Sequence, residues 1–218
     1  MENHEKIAKD ALSGNQSNSI FVMRHGKTAL DPVHRSDGWI DFPLSADGQI
    51  SVLPALDYLK CIPITCIYAP TLKRTTETAE IMSSGILSHP TVIPDDGVKT
   101  WNLGALAGGH KAYNKPIVRQ FMKNTSAAPE GGESRDSFRG RLTPAMAAIK
   151  DKVTNGGGPV LIVTSGSVCR ELSDEMFGDM DLLDLDEGGL MVLHPAGDGT
   201  WTGRVLLAHK DLNDERLS

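Results

Sequence analysis

Residues 19–28 read SIFVMRHGKT, and the rest of the chain is best interpreted outward from this stretch. Four apolar residues at 20–23 are typical of a short buried strand. Arg24, His25 and Gly26 follow where such a strand should end, and open α/β sheets usually bind ligands at the carboxyl ends of their strands. A cation and an imidazole can handle phosphate there, and the glycine lets a ligand approach the backbone. Taken alone, these three residues fit an exposed strand end equally well.

The composition narrows the class of protein. A chain of 218 residues suits one α/β domain with a substantial core. The formal charge of −6, without a long basic run, argues against nucleic acid as a partner. No apolar run approaches the length of a membrane span, and three cysteines without metal-ligand spacing fit a reduced protein. We expect a cytoplasmic protein with no membrane partner, no metal and no cofactor.

The order of the elements predicts the fold. Residues 1–18 are polar and predict a flexible N-terminal tail, with one helical turn near 5–12, ahead of a single domain at 19–218. Apolar runs predict strands at 20–23, 64–69, 91–93, 159–163, 189–193 and 201–208, the last two pairing as an antiparallel hairpin through a turn at 197–199. Helical patterns occur at 45–59 with a kink at Pro54, at 71–82, 113–123 and 133–153, and after 167 to about 176. We expect a three-layer α/β/α fold with helices on both faces of a mainly parallel mixed sheet.

Several motifs in this order resemble the histidine phosphatase superfamily, which includes the phosphoglycerate mutase-like enzymes. Arg24-His25-Gly26 is similar to the Arg-His-Gly motif that ends the first strand of that family. Residues 68–74, YAPTLKR, resemble the segment that supplies a second phosphate-binding arginine, here Arg74. Residues 41–49 are similar to the segment that leads into the first helix of the family, and weaker marks occur at 104–108 and 132–134. The resemblance covers about 19–208 and implies a phosphoglycerate mutase-like fold.

The resemblance also implies a mechanism. His25 would attack phosphorus and form a phosphohistidine intermediate, which water then hydrolyses. The attacking nitrogen must be unprotonated, so the other ring nitrogen of His25 should donate to a backbone carbonyl. Arg24 and Arg74 would bind the phosphate oxygens with forked donors and stabilise charge during transfer.

Two positions depart from the family pattern. The late strand runs into Thr164-Ser165-Gly166, so Ser165 occupies the place of a second catalytic histidine and would be a weaker, uncharged phosphate ligand. Aligning the glycines at 104 and 108 places Thr100 where the family has a general-acid glutamate. Threonine does not donate a proton near neutral pH, and general acid catalysis is worth about 10²–10⁴ in rate.

Two functions follow from this mixture. The first is a phosphatase acting on a small phosphorylated substrate or a phosphoprotein, restricted to good leaving groups or served by another acid. The second is a catalytically impaired phospho-ligand-binding or scaffold protein, a pseudophosphatase. Mutase activity is a weaker third option, because it depends on the acid and on both histidines. The sequence names no substrate, and an exposed edge strand could support a homodimer.

Further residues have a possible substrate or acid role. Lys27 follows the motif directly, Arg35 could bind a second acidic group of a substrate, and His110 could partly replace the missing histidine. Candidate replacement acids in nearby loops are Asp31, Asp37, Asp95, Asp96 and Glu130. For each of these residues the plain alternative is an exposed turn residue, a surface cation or a solvated carboxylate.

Overall fold

The structure is a computed structural model that describes residues 18–179, 185–196 and 198–208. The predicted tail lies outside the described residues except for Asn18, as does Gly197 of the predicted hairpin turn. Within the described ranges, no helix combines the length and the apolar character needed to cross a bilayer.

Six strands form one mixed sheet. They are β1 (Ile20–Arg24), β2 (Cys66–Ala69), β3 (Thr91–Pro94), β4 (Val160–Thr164), β5 (Leu190–Pro195) and β6 (Trp201–Leu207), in the order β3-β2-β4-β1-β5-β6. The first four strands are parallel to one another, while β5 runs antiparallel to β1 and to β6. The predicted mainly parallel sheet with an antiparallel edge is confirmed.

Helices cover both faces of this sheet. They are α1 (Ala46–Ser51), α2 (Leu53–Leu59), α3 (Lys73–Gly85), α4 (Lys111–Lys123), α5 (Arg135–Lys152) and α6 (Gly166–Phe177). The kink predicted at Pro54 is confirmed as a break at Val52, with the proline in the first turn of α2, where its missing N–H costs no hydrogen bond. The start predicted for α4 is two residues late, because His110 caps the helix by accepting from the Ala112 N–H. The segment between β3 and α4 contains two short 3₁₀ helices, Asp96–Val98 and Gly104–Leu106.

Two apolar cores follow from the alternation of side chains along β1. Ile20 and Val22 point into a core shared with α5 and α6, whereas Phe21 and Met23 point into a core shared with α2 and α3. All four side chains are fully buried. Because the strand is covered on both faces, it reads as a continuous apolar run, as expected for a parallel sheet.

The register of β1 and β4 positions the site. Arg24 pairs with Thr164 at the carboxyl ends of these two parallel strands, and the His25 N–H donates to the Thr164 carbonyl across 2.9 Å. The residues that follow, His25 and Ser165, therefore lie at the same edge of the sheet. Since β5 is antiparallel to β1, the residues just before β5 reach this edge as well.

Candidate active site

His25 is held in one tautomer. Its Nδ1 lies 2.8 Å from the Gly26 carbonyl oxygen, which can only accept, so Nδ1 carries the proton and donates it. The Nε2 atom then keeps its lone pair, and the Nε–H of Arg74 donates to it across 3.2 Å. Burial lowers the pKa of His25 well below its ordinary value of 6.5, and the charges of Arg74 and Arg24 lower it further. The imidazole is therefore neutral at neutral pH, with Nε2 as its basic atom.

Gly26 has a different task from the one expected. A Cβ atom at this position would lie 2.4 Å from the carbonyl oxygen of Gly48 in α1. The glycine is therefore required for close packing of the motif against α1, on the side away from the cavity. The Gly26 N–H donates to the Thr78 hydroxyl of α3, which fixes the turn after β1.

Arg74 is fixed by three directed hydrogen bonds and is only 1% exposed. Besides the contact with His25, its Nη1 donates to the Ile40 carbonyl at 2.9 Å and its Nη2 to the Gly38 carbonyl at 2.7 Å. Gly38 adopts a left-handed conformation, with φ of 53°, which brings its carbonyl to the guanidinium. A guanidinium has five N–H groups, so two remain to bind an anion beside His25.

Arg24 reaches the same cavity from the end of β1. Its Nη1 donates to the Leu185 carbonyl at 2.6 Å, and its Nη2 forms an ion pair with Glu187. The Glu187 carboxylate also lies 3.5 Å from the ammonium of Lys111 in α4. Sequence reasoning missed Glu187; the available signal was its place just before β5, the strand that runs antiparallel to β1.

Ser165 and Thr100 are joined by a third hydroxyl. Ser167 Oγ lies 3.1 Å from Ser165 Oγ and 3.0 Å from Thr100 Oγ1, and it accepts from the Trp101 N–H. The Thr100 carbonyl in turn accepts from the Trp39 indole N–H at 2.8 Å. Sequence reasoning missed Ser167. The two positions that depart from the family pattern thus form a connected, uncharged hydroxyl cluster.

These groups line one cavity of about 490 Å³. The structure brings Arg24, His25, Arg74, Thr100 and Ser165 together on its wall. The cavity also receives the first turn of α6, whose free N–H groups and dipole favour an anion. One face of α4 also lines the cavity and carries three cations, Lys111, Lys115 and Arg119. The arrangement suits an anionic ligand held against His25.

Three of the other candidates do not reach this cavity. The Lys27 backbone is used in packing, its N–H donating to Ser51 and its carbonyl accepting from the Ser45 N–H. Arg35 donates to the Gly108 carbonyl at 2.6 Å and is exposed. His110 caps α4 and contacts the Tyr113 ring. None of the three is among the cavity-lining residues. Arg35 and His110 lie where residues 34–36 pair with residues 108–111.

Asp31 is tied to α4 rather than to the cavity. It accepts from the Lys111 ammonium at 2.8 Å and from the Thr28 N–H at 2.7 Å. Burial alone would raise the pKa of Asp31, but these two donors hold it well below its ordinary value. Asp31 is therefore ionised near neutral pH and has no proton to give.

No metal-binding arrangement occurs in the part of the chain that the structure describes. No group of three or more histidine, cysteine, aspartate or glutamate side chains in those residues could hold a metal ion.

Comparison with known proteins indicates one family. The model of the histidine phosphatase superfamily (branch 1) matches residues 20–205. Phosphoglycerate mutase-like protein 4 of Arabidopsis thaliana is 30% identical over 160 residues, which cover 70% of this chain and 68% of that protein. The 2,3-bisphosphoglycerate-dependent phosphoglycerate mutase 2 of Gloeobacter violaceus is 23% identical over 207 residues, covering 88% of this chain and 92% of that protein.

Solved structures share the fold. A mycobacterial glucosyl-3-phosphoglycerate phosphatase in complex with VO3 superposes with a TM-score of 0.73 at 21% identity, covering 89% of this chain and 100% of that one. A phosphoglycerate mutase from Bacillus anthracis has a TM-score of 0.73 at 23% identity, covering 88% of this chain and 94% of that one. At these identities the likeness shows a common α/β architecture.

Proposed function

We propose that this chain, which belongs to the histidine phosphatase superfamily (branch 1), is a phosphatase that hydrolyses a phosphomonoester or related phosphoryl compound. The reaction proceeds through a phosphohistidine at His25. The observation that carries this proposal is the state of that residue: Nδ1–H donates to Gly26, and the Nε2 lone pair lies beside the Arg74 guanidinium. A neutral imidazole in a fixed tautomer is what attack on phosphorus requires.

The chemistry takes two steps. First, the Nε2 lone pair forms a bond to phosphorus while the bond from phosphorus to the leaving oxygen breaks. Arg74, Arg24 and the N-terminus of α6 stabilise the negative charge on the phosphoryl oxygens. Water then attacks phosphorus, the N–P electrons return to Nε2, and inorganic phosphate is released.

The substrate range follows from Thr100 and Ser165. Both are hydroxyl-bearing residues in the Ser167-centred cluster, so this wall can donate hydrogen bonds but carries no charge. A charged hydrogen bond contributes about 1.5–3 kcal/mol, against about 0.5–1.5 kcal/mol for a neutral one. We therefore expect weaker phosphate binding than a histidine at position 165 would provide, and a preference for aryl, acyl or N-phosphoryl leaving groups.

A phospho-ligand-binding protein without turnover is the second candidate. It is favoured by the same uncharged cluster and by Arg24, which is already paired with Glu187. In that case the cavity would bind phosphate or a phosphorylated partner without cleaving it. Mutase activity, which the names of the mutase relatives suggest, is less favoured, because returning the phosphoryl group to a sugar-acid hydroxyl requires efficient proton transfer.

One experiment separates these possibilities. Purified protein is assayed with 4-nitrophenyl phosphate without added metal, and vanadate binding is measured by calorimetry. We expect turnover that His25→Ala abolishes and that His34→Ala, a change at an exposed histidine, leaves intact. Binding of vanadate without turnover would establish the phospho-ligand-binding candidate instead. If the protein neither binds vanadate nor turns over the ester, both functions are contradicted.

A further inference from the structure

The usual acid position holds Thr100, so any proton donor must come from another side chain at the cavity. Among the described residues, four carboxylates line it, namely Asp37, Glu171, Asp186 and Glu187. Two of them are committed to ion pairs: Glu171 with Arg135 and Arg139, and Glu187 with Arg24.

Asp186 and Asp37 differ in burial. Asp186 is exposed to solvent, so burial does not favour its neutral form. Asp37 is half-buried, and its Oδ2 atom has no hydrogen-bond partner in the described part of the chain. A cavity-lining carboxyl group with one oxygen anchored and the other without a partner can act as a proton donor.

The anchored oxygen of Asp37 and an oxygen of Asp31 both contact the Thr28 hydroxyl. Thr28 Oγ1 lies 2.9 Å from Asp37 Oδ1 and 3.2 Å from Asp31 Oδ2, and it also accepts from the Leu30 N–H. The hydroxyl has a single hydrogen, and Asp31 is kept ionised by Lys111. The Thr28 hydroxyl donates to Asp37 Oδ1 over the shorter of the two distances, while Asp31 Oδ2 accepts from the Thr28 N–H at 2.7 Å. Two ionised carboxylates on one hydroxyl repel each other, and a proton on Asp37 Oδ2, the oxygen without a partner, would relieve that repulsion.

The charges around Asp37 agree with this arrangement. Burial raises the pKa of Asp37, and the like charge of Asp31 acts in the same direction. Arg74, the Thr28 hydroxyl and Lys111 act in the opposite direction without reversing the shift. The pKa of Asp37 therefore lies above that of a solvated aspartate, which is the direction that a proton donor requires.

Asp37 is also held next to the phosphate-binding group. The carbonyl of the following residue, Gly38, accepts from Arg74 Nη2 at 2.7 Å, and Arg74 Nε contacts His25 Nε2 at 3.2 Å. The left-handed conformation of Gly38 turns its carbonyl toward the Arg74 guanidinium, so Asp37 is only one residue away from a hydrogen bond to Arg74. Asp37 therefore lines the same cavity as His25 and Arg74, the two groups that would hold a phosphoryl group.

We infer that Asp37 is the general acid of this protein, acting in place of a glutamate at position 100, an inference that rests on the proposed phosphatase function. As the N–P bond forms at His25 and the P–O bond breaks, the Asp37 proton moves to the leaving oxygen, giving a neutral alcohol and a carboxylate. In the second step that carboxylate takes a proton from the attacking water while the N–P bond breaks. Asp37 is then protonated again and inorganic phosphate is free.

The test uses the dependence of the rate on the leaving group. For wild type and Asp37→Asn, kcat/KM is measured with 4-nitrophenyl phosphate, which needs little protonation, and with glycerol 3-phosphate, an alkyl ester that needs it. Asp95→Asn is the matched control, because it neutralises a carboxylate that caps the Gly97 N–H outside the cavity lining, and asparagine can still cap. Asp186→Asn and Glu187→Gln are measured in parallel.

We expect Asp37→Asn to lower kcat/KM for the alkyl ester by about 10²–10⁴ and for the aryl ester by less than about tenfold. Equal losses for the two esters, no loss, or a leaving-group-dependent loss in Asp186→Asn or Glu187→Gln instead would overturn the assignment while leaving the phosphatase function intact. A wild type that cleaves neither ester would contradict the proposed function itself, and the assignment with it.

A second measurement does not depend on how the variant folds. In wild type, kcat/KM for the alkyl ester should fall as pH rises through the pKa of Asp37, because the required proton is lost, while the aryl ester should be less affected. The same alkaline fall for both esters would contradict a proton transfer from Asp37.

Discussion

The Nε–H of Arg74 donates to Nε2 of His25 across 3.2 Å, between two side chains that are almost fully buried. This contact orients the lone pair of the imidazole and places a cation beside it. The bound phosphoryl group would thus meet its nucleophile and its charge-stabilising donor at one point. Both groups come from strand-to-helix transitions at the same edge of the sheet, one following β1 and the other in the first turn of α3.

Replacing Arg74 by lysine should remove most of the activity. Lysine keeps the charge but lacks the forked donors that contact His25 and the Gly38 and Ile40 carbonyls. We expect kcat/KM for 4-nitrophenyl phosphate to fall by about 10²–10³, the usual cost of losing a preorganised donor to a developing oxyanion. Arg204→Lys, at an exposed arginine of β6, is the control and should change little. An Arg74→Lys variant of nearly full activity would contradict the role of the fork.

The stability of the protein should depend on pH through His25. The pKa of this residue is lowered in the folded state, so below about 6.5 the unfolded chain takes up a proton that the folded chain does not. The contribution of His25 to the free energy of unfolding should therefore be complete above pH 6.5. As the pH drops below 6.5, the free energy of unfolding should fall by up to about 1.4 kcal/mol per pH unit. Urea unfolding from pH 7.5 to 5 should show a shallower fall for His25→Gln than for wild type. His34→Gln should behave like wild type, and identical slopes in all three proteins would contradict a neutral buried His25.

Ser165 should contribute modestly to phosphate binding. A neutral hydrogen bond is worth about 0.5–1.5 kcal/mol, so Ser165→Ala should weaken vanadate binding by about two- to tenfold. Ser165→His should strengthen it, because the cavity gives the imidazole room and a charged donor binds phosphate more tightly. Calorimetry measures both values. An alanine variant that binds vanadate as tightly as wild type would remove Ser165 from the phosphate site.

Phosphate should compensate for loss of the Glu187 carboxylate. Glu187→Gln removes one counter-charge from the half-buried Arg24, which should lower the free energy of unfolding by about 1–3 kcal/mol. Inorganic phosphate in the cavity supplies a new counter-charge, so it should raise the melting temperature of Glu187→Gln more than that of wild type. Glu175→Gln, in the exposed pair with Lys150, is the control and should show no such difference. Equal phosphate shifts in Glu187→Gln and wild type would place the anion away from Arg24.

The sequence predicted the fold and the centre of the site because both depend on local pattern and strand ends. The apolar run before Arg24 and the late strand before Ser165 had to end at one edge if they were parallel neighbours, and they are. The tautomer of His25 could also be predicted, because a nucleophilic imidazole needs one unprotonated nitrogen and the other nitrogen must then donate its proton to an acceptor. For Gly26 only the approach of a ligand was expected, and its packing against the Gly48 carbonyl was not. That carbonyl belongs to a later helix, so no local pattern reveals the contact.

Other parts of the site depended on distant contacts that no local spacing reveals. Glu187 contacts Arg24 although the two residues are 163 positions apart in the sequence, and Ser167 contacts Thr100 at a separation of 67 positions. Arg35 and His110 looked like ligands because of their charge and their place in long loops. The structure uses them instead to hold the loop and to cap a helix. The choice of Asp37 over Asp31 as the general acid also required the structure. Only the position of Lys111 shows that Asp31 is the carboxylate kept ionised by an ion pair.

The most direct test of the account is to trap the phosphoryl group on the protein. Wild type turning over 4-nitrophenyl phosphate is quenched within milliseconds under denaturing alkaline conditions, in which phosphohistidine survives, and its peptides are sequenced by mass spectrometry. We expect one phosphoryl group on the peptide that contains His25, and none in His25→Ala. Turnover without this adduct, or a phosphoryl group on another residue, would contradict it.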